Sequence, residues 1–285
     1  MIITIENTCD LSKEKIEELG VKVVNMQLSC ENASVDTTNL DLKEFYRLMR
    51  NGEVFRTSQV NEFDAENFFR TYIKDDDILH LGFSSGQSAS VETAKRVASK
   101  INKEGGHQIY VVDSLCSSSG QGYFCELVVN RLRETNCSIE ELRDYAEELK
   151  VRIAHYFTVD DLKYLERGGR ISKTSAIIGK LLSIKPVLRL DSKGRIVPFQ
   201  KVISRKKALQ RLVELYDELA DKSVNLINIS DADCCADAEI LKQKLLELNP
   251  NLTINIYQIG STIGSHCGPG TLALYFVRRN DYVNP

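Results

Sequence analysis

Three short segments of the chain are rich in hydroxyl side chains, and each lies between a predicted strand and a predicted helix. They are residues 57–59 (TSQ), 84–88 (SSGQS) and 117–122 (SSSGQG). Backbone N–H groups at a helix N-terminus attract anions, and serine and threonine hydroxyls add neutral donors. Each segment alone is more often a helix cap. Three of them at the carboxyl edge of one parallel sheet, where α/β proteins place ligands, favour a binding site for a small acid.

The second of these segments overlaps a possible catalytic motif. Residues 82–86 (GFSSG) match G-x-S-x-G between a strand and a helix, where α/β-hydrolases carry their nucleophile. His266 lies downstream, with Asp231 and Asp233 between, as in the hydrolase chain order. The other interpretation is a tight turn that caps the helix. A serine esterase or acyltransferase that uses Ser84 and His266 is therefore an alternative.

Two basic side chains stand in glycine-rich surroundings. His266 lies within residues 260–270, among four glycines and a proline. This setting predicts a shaped loop that aims the imidazole into a cleft. Arg170 follows two glycines at the predicted end of a helix. It is either a simple charge at a helix C-terminus or the partner of a carboxylate or phosphate, and the second use is the stronger interaction.

The first half of the chain alternates apolar strands with amphipathic helices. Predicted strands at 77–83 and 108–113 are each followed by a helix with its apolar residues on one face. Ser138 and Glu141 predict the start of a further helix, because this spacing forms a capping box. The order of elements predicts a mostly parallel sheet with flanking helices.

The second half has a different pattern. After a strand at 151–159, two further strands are joined by Asp191-Ser-Lys-Gly194, a sequence typical of a hairpin. The other predicted elements are helices at 160–169, 172–183, 204–220 and 234–248 and strands at 223–230, 252–259 and 271–279. A hairpin requires antiparallel pairing, so this half is predicted to have a mixed or antiparallel sheet with helices. The α/β chain is thus predicted to form two domains, residues 1–155 and 156–285.

Composition argues against several classes of function. Among 285 residues, 37 Lys and Arg stand against 40 Asp and Glu, and a net charge of -3 provides no field that attracts nucleic acid. The first residues lack the pattern of a signal peptide, and no apolar run approaches the ~20 residues that span a bilayer. We therefore expect a cytoplasmic protein without stable membrane insertion. The eight cysteines contain no CxxC pair, so neither a metal site nor a disulfide framework is expected.

Taken in order along the chain, these and other motifs resemble the DegV family of bacterial lipid-binding proteins. The matching motifs extend from the first half of the chain almost to its last strand, and their number and spacing make the resemblance specific. They are TSQ at 57–59, SSGxS at 84–88, VVDS at 111–114, FxVDDLxYLxRGGRIS at 157–172, IKP at 184–186, KVxxRKKA at 201–208 and IGSxIGSHCGPG at 259–270. The resemblance implies two α/β domains with a fatty acid buried between or within them.

Carried onto this sequence, the resemblance implies a set of ligand-binding residues. Thr57 and Ser88 are expected to donate hydrogen bonds to the carboxylate of the acid, and His266 is expected to be a further donor. Arg170 is expected to supply a nearby positive charge. The pattern leaves open whether Ser85 or Ser88 touches the carboxylate, with Ser88 preferred.

The resemblance also implies a role. It suggests that the carboxylate of a long-chain fatty acid is presented to a separate ATP-dependent fatty acid kinase, which forms an acyl-phosphate for phospholipid synthesis. The chain is then expected to be a carrier and not an enzyme, with the fatty acid as its ligand, the kinase as its partner and no cofactor. Basic residues at 205–207 and Arg167 are expected to form part of the kinase-docking face, unless they only form a solvated helix start.

The sequence departs from the family pattern at several positions. Gln87 stands where an aliphatic residue is usual, and Ala89 stands where glycine is usual. The segment 6–12 reads ENTCDLS in place of DSTxDLP, and Val60 replaces a proline. The changes at Gln87 and Ala89 are expected to narrow the pocket or alter its polarity, and so to affect which acid is bound.

Overall fold

The computed structural model describes residues 1–32, 34–37, 40–171 and 184–279. Helices and strands alternate through most of these residues. In chain order they are β1 (Ile2–Glu6), α1 (Lys13–Leu19), β2 (Lys22–Val24), β3 (Gln27–Cys30), α2 (Leu42–Arg50), β4 (Phe55–Ser58), α3 (Glu62–Tyr72), β5 (Ile78–Gly82), α4 (Ser90–Asn102), β6 (Ile109–Asp113), α5 (Ser119–Thr135), α6 (Ile139–Lys150), β7 (Ile153–Thr158), α7 (Lys163–Arg167), β8 (Ile184–Leu190), β9 (Ile196–Ile203), α8 (Arg205–Leu219), β10 (Leu226–Asp231), α9 (Cys235–Leu248), β11 (Thr253–Gln258), α10 (Ser261–Cys267) and β12 (Leu272–Val277).

The first sheet is parallel throughout, in agreement with the prediction for the first half. Its strand order is β2-β1-β5-β6. Helix α4 packs against β6 and buries an apolar face that includes Val91, Val97 and Ile101. Helix α6 begins at the predicted capping box, in which the Ser138 side chain accepts a hydrogen bond from the backbone N–H of Glu141. Because the strands are parallel, the chain leaves β1, β5 and β6 at the same edge of the sheet.

The second sheet is mixed, as predicted. Its strand order is β11-β10-β12-β7-β8-β9, in which β10 and β11 are parallel and the other neighbours are antiparallel. The predicted hairpin joins β8 to β9. At its turn, a carboxylate oxygen of Asp191 accepts hydrogen bonds from the backbone N–H groups of Lys193 and Arg195. Gly194 takes a left-handed φ of +67°, which glycine adopts without strain.

Strands β3 and β4 form a separate two-stranded antiparallel ribbon. Thr57 lies in β4 opposite Leu28 and does not follow a strand of the parallel sheet. The expectation that all three hydroxyl-rich segments share one sheet edge is therefore wrong for 57–59. The pairing of so short a strand depends on tertiary contacts that its own residues do not specify. Segments 84–88 and 117–122 do follow β5 and β6.

One hydrophobic core joins the two sheets. Ile5 of the first sheet is buried in the same cluster as Phe157 and Tyr275 of the second. Helix α5 packs against β7, β10 and β12, so a helix from the first half covers the second sheet. The predicted boundary after residue 155 falls inside β7, because that strand begins at Ile153. The division of the chain into two domains stays a prediction.

The segment 260–270, predicted as a loop, contains the helix α10. Its glycines allow close packing and not only free backbone rotation. A Cβ at Gly264 would lie 2.6 Å from the hydroxyl oxygen of Tyr46. Gly268, which follows the helix, has a φ of +79°, and its Cβ would lie 2.1 Å from the ring of Tyr164. Glycine-rich sequence indicates either a flexible turn or close approach, and close approach determines the conformation here.

The remaining predicted elements are mostly confirmed. The helices at 204–220 and 234–248 are α8 and α9. The helix predicted at 172–183 lies outside the described residues. Within the described part of the chain, no helix is apolar over a length that could cross a bilayer. All eight cysteines are free thiols.

Replacement of Gly264 with alanine tests the close packing of α10. Alanine normally stabilises a helix by about 1 kcal/mol relative to glycine. At Gly264 the added methyl group meets Tyr46 and Phe45, so we expect the free energy of unfolding to fall by about 1–3 kcal/mol in urea titrations. The cost should be smaller when Gly264→Ala is made in a Tyr46→Phe background. Greater stability of the single variant would show that this contact is not tight.

Candidate ligand-binding site

A cavity of ≈ 250 Å³ lies between the carboxyl edge of the first sheet, α10 and the second sheet. Most of its surface is apolar. Apolar side chains that line it include Met26, Phe83, Phe157, Leu190, Ile196 and Ile263. An apolar cavity with a few convergent polar groups is the usual form of a small-molecule site. Because its walls come from both halves of the chain, the cavity requires the complete fold.

Thr57 and His266 meet at one part of the cavity wall. The distance between Thr57 Oγ1 and His266 Nε2 is 2.7 Å, which is a hydrogen bond. Thr57 comes from the β3–β4 ribbon and His266 from the last turn of α10. The other ring nitrogen, Nδ1, faces Gly168, where a Cβ would lie only 2.5 Å away. The glycine therefore allows the imidazole to lie against α7 with Nε2 directed at Thr57.

His266 is held in its neutral form. Burial, followed by the positive charges of Arg170 and Arg167, lowers the pKa of His266 to about 4. Its Nδ1 atom is buried and has no hydrogen-bond partner among the described residues. Because a buried unpaired N–H is rarer than a buried unpaired acceptor, this arrangement favours the tautomer with its proton on Nε2. Nε2 then donates to Thr57, and the Thr57 hydroxyl proton is available to a ligand.

Arg170 also lines the cavity and is fixed by backbone carbonyls. Its Nε atom donates to the carbonyl oxygen of Gln87 at 3.2 Å, and Nη1 donates to the carbonyl oxygen of Gly168. Burial lowers the pKa of Arg170, but a guanidinium group stays charged in proteins. The half-buried cation therefore gives this part of the cavity a positive potential that favours an anion.

The two serines left as alternatives by the sequence are placed differently. Ser88 lines the cavity, and its Oγ accepts a hydrogen bond from the backbone N–H of Ser90 at 3.2 Å. Its hydroxyl proton is thus available to a ligand. Ser85 is exposed and outside the cavity lining, and its backbone N–H donates to Asp113 at 3.2 Å. The fold brings Thr57, Ser88, His266 and Arg170 to one cavity and leaves Ser85 out.

Ser84 does not form the nucleophile and base pair of a hydrolase with His266. The Ser84 side chain is buried, and its Oγ donates to the carbonyl oxygen of Gly194 at 2.9 Å. The same oxygen accepts a hydrogen bond from the backbone N–H of Gly86 at 3.2 Å. His266 is hydrogen-bonded to Thr57 instead. The motif at 82–86 therefore forms a turn, which is the simpler of the two interpretations.

A second polar region of the cavity joins the predicted segment 117–122 to two residues that the sequence did not indicate. Ser117 and Ser118 of that segment line it, together with His155 and Tyr275. His155 Nε2 accepts a hydrogen bond from the backbone N–H of Ser117 at 3.2 Å, and burial lowers the pKa of His155 to about 3. This histidine is neutral and oriented by the backbone. The strand period provided a signal, because His155 and Phe157 fall on the same face of β7.

Two buried carboxylates beside the cavity were also missed. Glu6 accepts a hydrogen bond from the backbone N–H of Phe83 at 2.8 Å. Asp10 accepts hydrogen bonds from the hydroxyl of Ser118 at 2.6 Å and from the backbone N–H of Gly260 at 2.9 Å. Burial raises the pKa of Asp10 to about 7. Their position at the carboxyl end of β1 and shortly after it was the available signal.

One group of side chains has the composition of a metal site. Ligand atoms of Asp76, Asp77 and His107 lie within 4.8 Å of one another, at the surface and outside the cavity lining. The Asp76 carboxylate pairs with the ammonium group of Met1 at 2.5 Å. Asp77 accepts a hydrogen bond from the backbone N–H of Gln108 at 2.7 Å. These contacts account for the positions of the Asp76 and Asp77 side chains as part of the surface structure.

Comparison with known proteins places the chain in a family. The family model described as "Uncharacterised protein, DegV family" matches residues 1–279. The chain belongs to the DegV family. It is 36% identical over 282 residues to a DegV domain-containing protein of Clostridium perfringens, with 97% of each chain covered. It is 31% identical to the DegV protein of Bacillus subtilis, over 95% of this chain and 97% of the relative.

Solved structures of DegV proteins have the same fold. DegV of Bacillus subtilis, described as a fatty acid binding protein, superimposes with a TM-score of 0.85 and 29% identity over 98% of this chain and 99% of its own. A fatty acid binding DegV family protein from Thermus thermophilus gives a TM-score of 0.84 and 27% identity over the same shares. The expected DegV fold is therefore confirmed, and fatty acid binding occurs within the family. The roles of the individual site residues stay predictions.

The pKa of His266 tests the electrostatics of the site. We expect NMR titration of the ring nitrogens to give a pKa of about 4, with the resonance assigned through its loss in a His266→Gln variant. Arg170→Gln removes a positive charge and should raise this pKa, whereas Arg167→Gln should raise it less. Since the unfolded chain protonates near pH 6.5, His266 should reduce stability as the pH falls from about 6.5 to about 4. A pKa near 6.5 in the folded protein would contradict this description of the site.

Proposed function

We propose that this chain binds a long-chain fatty acid and presents its carboxylate to a separate ATP-dependent fatty acid kinase for acyl-phosphate formation. The acyl chain fills the apolar part of the cavity, and the carboxylate meets the Thr57–His266 pair, Ser88 and Arg170. The protein acts as a cytoplasmic carrier in phospholipid synthesis, with no cofactor of its own.

The observation that carries this proposal is the combination of a largely apolar cavity with donors that suit one carboxylate. Each buried CH₂ group contributes about 0.8 kcal/mol, so the apolar wall supplies most of the affinity. The hydroxyls of Thr57 and Ser88 each have a proton to donate, and Arg170 supplies positive charge. Such donors contribute more to the orientation of the carboxylate than to the affinity. Phosphoryl transfer to a carboxylate oxygen requires a fixed orientation. Fatty acid binding by related DegV proteins supports this assignment.

The kinase partner is supported by the family resemblance and by the charges at the start of α8. Lys206 and Lys207 are exposed there. Arg205 is engaged differently, because its Nε atom pairs with Asp237 at 2.8 Å. We therefore assign docking to the two lysines, with Arg167 as a further exposed cation, and not to Arg205.

Thr57→Val tests the carboxylate site, because valine keeps the shape of threonine and removes the hydroxyl. The purified wild-type protein should release a C14–C18 fatty acid on solvent extraction, detected by mass spectrometry. The variant should bind supplied palmitate roughly tenfold more weakly or worse, as expected for loss of a hydrogen bond to a charged group. Fluorescence or calorimetric titration measures the difference.

Thr71→Val is the matched control, because Thr71 is an exposed threonine whose hydroxyl donates only to the carbonyl oxygen of Asn67 in α3. Its affinity for palmitate should equal that of the wild type. If the wild-type extract contains no acyl chain and the protein takes up none, the proposed ligand is wrong. If binding is intact and Thr57→Val has no effect, the carboxylate lies elsewhere in the cavity.

Charge reversal at Lys206 and Lys207 tests the docking face. The double change to glutamate should lower acyl-phosphate formation severalfold in a mixture with a purified fatty acid kinase and ATP, because it replaces attraction by repulsion. The fatty acid content of the variant should stay unchanged. The double change of Lys74 and Lys103 to glutamate, at two exposed lysines that follow α3 and α4, shifts the net charge equally and is the control. Equal turnover by all of the variants would rule out this docking face.

A further inference from the structure

The tip of the β8–β9 hairpin reaches across to the turn between β5 and α4. The carbonyl oxygen of Gly194 accepts two hydrogen bonds from that turn. The Ser84 hydroxyl donates one at 2.9 Å, and the Gln87 side-chain amide donates the other at 3.1 Å. We refer to these two hydrogen bonds as the tip latch. The latch joins the second sheet to the first beside the cavity.

Two glycines make this contact possible. A Cβ at Gly194 would lie 2.0 Å from Ser84 Oγ, and a Cβ at Gly86 would lie 2.4 Å from the carbonyl oxygen of Lys193. Since a real Cβ does not approach so closely, the two turns can pack this tightly only because both residues are glycines. The carbonyl group of Gly194 faces the β5–α4 turn, from which it accepts both hydrogen bonds. The contact is therefore a specific fit between two turns.

The hairpin tip extends beyond its support in the second sheet. The ladder between β7 and β8 runs from the Thr158–Val187 pair to the Tyr156–Arg189 pair and ends there. β9 is the edge strand of the sheet. Beyond Arg189, residues 191–195 form a turn that is held to the first sheet by the tip latch. Rupture of the latch would thus remove two hydrogen bonds that join the tip to the first sheet and would leave the ladder between β7 and β8 in place.

The hairpin tip is also part of the cavity wall. Leu190 and Ile196, on the two sides of the tip, line the cavity, and Gln87 lines it from the opposite turn. The backbone carbonyl of Gln87 holds Arg170, whose guanidinium group lies on the same wall. Movement of the tip would separate Leu190 and Ile196 from Gln87 and open the wall close to Arg170.

We infer that the tip latch controls the rate at which an acid enters and leaves the cavity, with Gln87 as the positioning residue that keeps the hairpin tip closed. This inference rests on the proposed function, because it concerns exchange of the proposed ligand. A leucine at Gln87, similar to the aliphatic residue that the family resemblance makes usual there, has no N–H group for Gly194. This chain is therefore expected to exchange its ligand more slowly than its own Gln87→Leu variant.

Stopped-flow fluorescence with cis-parinaric acid tests the inference. Loss of one neutral hydrogen bond corresponds to roughly a three- to tenfold change in an equilibrium. In Gln87→Leu we expect both the association and the dissociation rates to rise by roughly three- to tenfold. Ser84→Ala removes the other hydrogen bond at a side chain outside the cavity lining, so both rates should rise there as well while the Kd changes by less than about twofold. Lys193→Ala, at an exposed side chain of the same tip, should leave both rates unchanged.

Native cysteines give a second readout that needs no ligand. Cys267 lines the cavity, Cys235 is exposed, and Cys125 is fully buried in the core. Iodoacetamide labelling of ligand-free protein, quantified for each peptide, should be roughly three- to tenfold faster at Cys267 in Gln87→Leu. Labelling of Cys235 should not change. Continued protection of Cys125 would show that the protein has opened locally and has not unfolded.

The possible results separate this inference from the proposed function. A weaker Kd with an unchanged association rate would show that Gln87 contacts the ligand directly, and the latch would be wrong while fatty acid binding stands. If Gln87→Leu has the same exchange rates and the same Cys267 labelling rate as the wild type, the inferred role of the tip latch is also wrong. If the wild type does not bind the probe or any other fatty acid, the proposed function fails, and Cys267 labelling still tests whether the latch closes the cavity.

Discussion

Two buried acidic side chains, one at the end of β1 and one just after it, hold together the elements around the cavity. Glu6 accepts the backbone N–H of Phe83, and Asp10 accepts the backbone N–H of Gly260 and the hydroxyl of Ser118. A buried carboxylate is costly unless its oxygens accept hydrogen bonds. The β5–α4 turn, α10 and α5 therefore each bring a donor to the end of the same strand. The cavity is the space that remains between these elements once those donors are in place.

In the proposed carboxylate site, different side chains supply the positive charge and the directional hydrogen bonds. Arg170 supplies a fixed positive charge, but its Nε and Nη1 atoms are engaged by backbone carbonyls. Directional donors come from neutral groups on unrelated elements, Thr57 in the ribbon and Ser88 at the carboxyl edge of the first sheet. Burial and, after it, the positive charges of Arg170 and Arg167 lower the pKa of His266 and keep the imidazole unprotonated. An imidazole in this field acts as a dipole that orients the Thr57 hydroxyl.

Most helices and strands were predictable from the sequence, because strands, caps and hydroxyl-rich turns are local patterns. Of the five site residues predicted from the sequence, four lie in the cavity lining. Ser138 was recognised as a cap, and the hairpin ending at Gly194 as a turn, from a few neighbouring residues. The helix α10 was missed, because a glycine at 264 can indicate either a flexible turn or close packing against Tyr46, and the sequence alone does not distinguish the two. Asp10 was missed as well, since its partners are distant in sequence and only the fold shows that it is buried.

The neutral state of His266 has a consequence for protons. With a pKa of about 4, its imidazole stays unprotonated above about pH 5, so His266 would exchange no proton with solvent when the proposed anion binds. A proton taken up or released near neutral pH would then come from another group, and the buried carboxyl of Asp10, whose pKa is about 7, is such a group beside the cavity. A proton balance of binding therefore reports on the end of β1 and not on the imidazole.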